Sequence, residues 1–197
     1  MSSHHFVKEG QEPALLILDA LSLELAEPLL EWAPLVIVAE PALLDVLQWG
    51  IKVDVVLVNA DHTEKMRHEL LNHFPVEIIP YHNQAEILPI AFDFLIKRKQ
   101  NAVNIMTKTP DSLLEVWGTF SQEIHVALFD HQIKWLCIAT GTYEKWLPAK
   151  SRLQLRITES KMVNIIGLSP YQDHWVAAED GITIIQSEQT FWIGEYQ

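Results

Sequence analysis

Gly50-Ile51-Lys52-Val53-Asp54-Val55-Val56-Leu57-Val58-Asn59-Ala60-Asp61-His62 is the stretch that decides the fold. Its glycine can end a helix in the left-handed conformation. Val53–Val58, which follows, is predominantly apolar and reads as a buried strand, covered on both faces as in a parallel sheet. The run exits into Asn59, Asp61 and His62. A polar turn at the carboxyl end of such a strand is where open α/β sheets keep their ligand chemistry.

The same pattern extends upstream. Ala14–Leu18 is a short apolar run followed by Asp19, and Ser22 can cap a helix reaching Trp32 that Pro28 should kink or delay. Leu35–Ala39 is a second buried strand ending at Glu40, and Pro41 suits the first turn of the helix that Gly50 stops. Downstream, Thr63–His73 reads as a helix, Val76–Ile79 as a strand, and Gln84–Lys99 as a helix with Pro89 marking a kink or a late start. Val103–Met106 is a fifth strand, Thr109-Pro110-Asp111 opens a helix running through Trp117, and Ile124–Phe129 is a sixth strand. Strands alternating with helices predict an α/β fold, a doubly wound and mostly parallel sheet.

Near Asp130 the helical period disappears. Arg152–Ile157 alternates polar and apolar residues, as a strand with one wet face does. Met162–Ile166, Ile182–Ile185 and Thr190–Ile193 continue a small antiparallel module punctuated by Gly167, Gly181 and Gly194. The predicted domains are therefore 1–131 and 132–197.

The 197 residues carry 26 Asp and Glu against 14 Lys and Arg, a formal net charge of −12. That balance argues against a nucleic-acid backbone or an anionic membrane surface as partner. No apolar run is long enough for a membrane helix, and the polar start has no signal-like core, so the expectation is cytoplasmic residence. The single cysteine, Cys137, cannot form an internal disulfide and reads as a core residue.

In a parallel sheet all strand exits share one edge. Here they supply Asp19, Glu40, Asn59 with Asp61, His82, Thr107 with Lys108, and Asp130. Converging oxygens of this kind suit magnesium, which takes one or two carboxylates together with substrate phosphates. From the residues alone, Asp and Glu at these positions read first as helix N-terminal caps and dipole partners. Phosphate-binding turns need glycine for close backbone approach, yet none lies between Ile51 and Trp117. Of the 9 histidines none forms a compact metal motif; His62 and His82 sit at the rim, while His68 and His73 read as solvated or packing residues.

Taken together, Glu31-Trp32-Ala33-Pro34 through Asp61, Ala91–Ile96, Ala102–Ile105 and Ala177-Ala178-Glu179-Asp180-Gly181 resemble the thiamine pyrophosphokinases in order and spacing. The resemblance implies an N-terminal α/β catalytic domain, a C-terminal β-sandwich and a homodimer with active sites between subunits. It also implies transfer of the pyrophosphoryl group of ATP to thiamine with magnesium, giving thiamine diphosphate and AMP.

Carried over by position, the family's metal-binding aspartates fall on Glu40 and Asp61, and its Gly-Asp-Phe-Asp turn on Val58-Asn59-Ala60-Asp61. Glu40, Asn59 and Asp61 are thus the catalytic candidates, with Glu40 and Asp61 as the metal candidates. His62 and His82 at the rim join Glu86, where the family's Thr-Asp pair falls on Glu86-Ile87, as cofactor-binding candidates. His174-Trp175, where a Ser-Asn pair associated with thiamine falls, complete that set. The nucleotide-gripping Gly-Gly-Arg-x-Asp-His falls on roughly Pro110–Glu115 without a match. Three readings stay open. One is a homologue with activity lost or much reduced, binding a small thiamine-like or nucleotide-like ligand against Trp175 or Trp192, or none. Another is an active divergent enzyme using Glu40, Asp61 and Glu86 for magnesium. The last is a dimeric interaction protein without a small ligand.

Overall fold

The computed structural model describes residues 12–116, 124–139, 141–157 and 163–197. They fall into two compact units, one within Met1–Lys108 and Glu123–Val126, the other within Thr109–Gln122 and Ala127–Gln197.

The first unit holds strands β1 (Ala14–Ile17), β2 (Val36–Ala39), β3 (Val55–Asn59), β4 (Glu77–Tyr81) and β5 (Ala102–Met106), laid side by side as β4-β3-β2-β1-β5. All four of these pairings are parallel. Strands β1 and β2 are buried at every position, which requires cover on both faces and explains their unbroken apolar sequences. Burying each of Leu15, Leu16, Ile17 and Ile37 contributes about 1.5–3 kcal/mol. Chain order runs outward from β1 to β4 and then returns to the other side of β1 with β5. The reversal therefore falls between β1 and β5, the position where ligands enter open α/β sheets.

Helices connect these strands with boundaries set by local chemistry. Helix α1 (Leu23–Leu30) is capped by Ser22, whose Oγ accepts from Leu25 N at 3.3 Å. It ends two residues short of Trp32 and carries Pro28 inside. Helix α2 (Glu40–Gln48) has Pro41 in its first turn, and Gly50 follows it at φ 68, a conformation glycine adopts without steric cost. The helix predicted over Thr63–His73 is shorter: α3 (Thr63–Glu69) gives way to a 3-10 turn at Leu71–His73. The cause is Phe74 before Pro75, held extended as a residue preceding proline is. Strand β4 runs two residues past the predicted Ile79 because it is an edge strand, where Pro80 forfeits no ladder bond. Pro89 marks a late start, with a 3-10 turn at Gln84–Glu86 leading into α4 (Ile87–Lys97).

The second unit contains α5 (Pro110–Val116) and a set of antiparallel strands. Trp117, predicted to extend that helix, lies outside the described residues. Strand β6 (His125–Phe129) pairs through Ala127–Phe129 with β7 (Ile133–Ile138). Then come β8 (Gly141–Leu147), β9 (Arg152–Ile157), β10 (Asn164–Ile166), β11 (Leu168–Tyr171), β12 (His174–Ala177), β13 (Gly181–Ser187) and β14 (Phe191–Tyr196). One sheet has the order β6-β7-β14-β9-β12-β11 and the other β10-β13-β8. Tyr143, Leu147 and Ile185 of the smaller sheet share one buried cluster with Leu153, Ala177, Phe191 and Ile193 of the larger. Sequence periodicity identified β9, β10, β13 and β14 and missed β7, β8, β11 and β12. Cys137 is half-buried on β7 rather than a full core residue.

Candidate functional site

Parallel strands bring the exits of the first unit to one edge, and hydrogen bonds there join neighbours that are distant in sequence. At the reversal point Asp19 follows β1, and its Oδ2 accepts from Thr107 Oγ1 at 3.1 Å and from Lys108 N at 2.8 Å, both just beyond β5. Thr107 is buried. Asp19 thus ties together the two loops that would otherwise open into a crevice.

The next exits form the densest polar group. Glu40 begins α2, and its Oε2 accepts from Asn59 N at 2.7 Å. Its Oε1 lies 2.5 Å from His62 Nδ1, which donates to it. Asn59 closes the turn after β3 by accepting from Asp61 N at 3.0 Å through Oδ1, and Thr63 Oγ1 donates to Ala60 O at 3.0 Å. Tyr81, at the end of β4, is buried; that burial, with the negative charge of Glu40, pushes its phenol above the ordinary range. Beyond it Glu86 accepts from His82 N at 2.8 Å and from Asn83 Nδ2 at 2.5 Å.

Of the rim candidates, the structure brings Glu40, Asn59, Asp61 and His62 into one cluster. His82 and Glu86 are joined to each other at the adjacent exit. His174 and Trp175 belong to the second unit, where they are neighbours in one strand and so point to opposite faces. Trp175 packs against the inter-sheet cluster. His174 lies on the other face, its ring 5.4 Å from Tyr171 and 6.2 Å from Tyr196. The two residues therefore cannot line one pocket. Trp192 is buried.

A magnesium-nucleotide would have to draw on these donors. Both oxygens of Glu40 are engaged by protein donors, as are both of Glu86. Among the described residues no three His, Cys, Asp or Glu side chains come together as a metal site. The turns after β3, β4 and β5 also lack the glycines that allow backbone amides to approach phosphate. These residues do not fit the ion and its nucleotide.

Sequence reasoning locates the exits, Lys108 among them, but not Tyr81 as a working partner. Tyr81 escapes it because the sequence places the end of β4 at Ile79, whereas the strand runs to Tyr81. Lys108 contributes through its backbone N–H, for which a side-chain motif gives no signal.

The fold and this edge define a mixed α/β protein, with a mostly parallel sheet unit carrying a polar rim and an antiparallel unit. No family model matches the chain, and no curated protein matches it. Solved structures do. The thiamine pyrophosphokinase from Bacillus subtilis superposes with a TM-score of 0.68 at 12% identity, covering 93% of this chain and 99% of that one. A thiamin pyrophosphokinase family protein from Enterococcus faecalis gives 0.69 at 13% identity over 93% and 99%. Yeast thiamin pyrophosphokinase gives 0.61 at 7% identity over 95% and 87%. The chain has a thiamine pyrophosphokinase-like fold.

Among the described residues no helix is long and apolar enough to cross a membrane.

Proposed function

We propose that this chain is a thiamine pyrophosphokinase homologue whose pyrophosphoryl-transfer activity is lost or much reduced, leaving a ligand-binding or structural role. On this reading its first unit is the doubly wound domain of that family and its second the family's β-sandwich, in a cytoplasmic homodimer. One observation carries the proposal. The carboxylate of Glu40, at the position of a family metal aspartate, is closed by Asn59 N–H on one oxygen and by His62 on the other.

The chemistry explains why that matters. Phosphoryl-type transfer relies on positioning and on neutralising charge around the phosphates. Losing one well-placed electrostatic group typically costs on the order of 10²–10³ in rate. Glu40 is engaged, Asn59 replaces a carboxylate, and Ile87 stands where the family has another. Asp61 remains an exposed acid on its turn.

Calorimetric titration with thiamine and with magnesium-ATP, followed by a coupled assay for AMP release, tests this. The expected result is no AMP formation above background. AMP release that disappears in Asp61→Ala would overturn the reading and establish the divergent enzyme. Thiamine binding without turnover supports a binding role, whereas absence of binding by either compound supports an interaction protein. Sedimentation velocity tests the dimer.

A further inference from the structure

The larger sheet of the second unit has two faces with different chemistry. Leu153, Ala177, Phe191 and Ile193 point into the shared cluster. Strand alternation then puts Arg152, Gln154 and Arg156 of β9 on the opposite face, with His174 of β12 and Tyr196 of β14. Their contacts bear this out. The Arg152 guanidinium lies over the Tyr196 ring at 4.5 Å, and Gln154 Nε2 donates to Tyr196 Oη at 2.8 Å. The Arg156 guanidinium lies 5.9 Å from the Trp135 ring, and His174 stands edge-on between Tyr171 and Tyr196.

In a chain of net charge −12, two of its arginines stand on one side of a single strand. Arg156 has a long ion pair, 3.8 Å to Asp111. Arg152 is exposed and makes no carboxylate contact among the described residues. A ring contact uses the face of a guanidinium and not its N–H groups, whose planar fork matches a carboxylate or phosphate. Asp173 also lies beside this face, its Oδ1 3.0 Å from His174 Nδ1 and its carboxylate within the electrostatic reach of Arg156. Tyr171, 58% exposed, adds a second ring surface at the edge strand β11.

We propose that this face binds a small aromatic oxyanion, its phosphate or carboxylate held by the N–H fork of Arg152 beside Gln154 and Tyr196, and its ring lying against Tyr171. The face is built from residues of the second unit alone, and the proposal does not depend on whether the rim is catalytic.

Amide chemical shifts of the full chain titrated with phenyl phosphate, benzoate and inorganic phosphate test it. Saturable shifts at Arg152, His174 and Tyr196 are expected with phenyl phosphate and with benzoate, and weaker ones with inorganic phosphate. Preference between the two aromatic probes identifies the acid group. Arg152→Met keeps the stem over Tyr196 and removes the fork; it should weaken phenyl phosphate binding at least ~10-fold, the size of a lost charge-assisted bond. Tyr171→Ala should weaken phenyl phosphate and leave inorganic phosphate unchanged. The proposal fails if no probe shifts these residues at ~10 mM, a concentration that reports even very weak binding. It also fails if Arg152→Met, or Arg152→Lys where the Met variant does not fold, binds phenyl phosphate as tightly as the parent.

Discussion

Tyr143 shows how one residue sets a pH limit. It is buried in the cluster between the two sheets, and its hydroxyl donates to Glu195 Oε1 at 2.7 Å, while Lys145 holds the other oxygen at 2.6 Å. Burial first, then the bond to Glu195 and its negative charge, push the phenol far above its ordinary range. Below pH ~10 both folded and unfolded chains carry the neutral phenol, and its contribution to stability is fully present. Above that pH the unfolded chain releases the proton and the folded one does not. Stability then falls by up to about 1.4 kcal/mol per pH unit. Urea unfolding from pH 7 to 11 should show this loss in the parent and a shallower one in Tyr143→Phe. The variant should cost about 1 kcal/mol at pH 7 for the lost hydrogen bond. Parallel decline of the two proteins would contradict the assignment. At this scale the sequence showed which side chains are polar at strand exits, but not that Glu40 is spent on Asn59 and His62. Those contacts span 19 and 22 positions and exist only once β2 and β3 lie side by side.

At the scale of elements, local sequence was sufficient where burial is two-sided. Strands β1, β2 and β3 are legible because every residue of their apolar runs is covered. Strands β8 and β11 were not. Trp146 and Ile182, opposite one another on β8 and β13, are both largely exposed, and Lys145 turns inward to meet Glu195, so alternation is broken. Pro170 in β11 argues against a strand until β11 is seen to be an edge. Glycines give a test of the second unit's turns. Gly167 has φ 83, and a Cβ there would lie 2.8 Å from Ile182 O, whereas Gly181 has open space around it. Gly167→Ala should lower stability by about 1–3 kcal/mol and Gly181→Ala by less than about 1, measured by chemical denaturation. Equal effects would mean the β10–β11 corner is built differently. Gly194 is a related case on β14, with Ile133 and Trp135 lying across it at distances that exclude a Cβ.

For the molecule as a whole, charge dominates what can be expected in solution. With 26 acidic against 14 basic residues, self-repulsion opposes the compact state, and salt screens it. The thermal midpoint should rise by ~1–3 °C between ~10 and ~200 mM sodium chloride, a shift set by fractions of a kcal/mol. An unchanged or falling midpoint would show that local pairs such as Glu40–His62 and Glu195–Lys145 outweigh the net repulsion.

The sequence by itself determined the alternation of strands and helices, the change to antiparallel strands after Asp130, and the polar character of every rim exit. These follow from short-range sterics and from burial, which repeat every two or three to four residues. Only the tertiary structure decided strand order, and with it the reversal beside β1 that Asp19 closes. It also decided that Trp175 joins the inter-sheet cluster while His174 meets Tyr171 and Tyr196, and that Arg152 rests on Tyr196. Each of these depends on which distant strands become neighbours, and residue spacing along one strand carries no record of that choice.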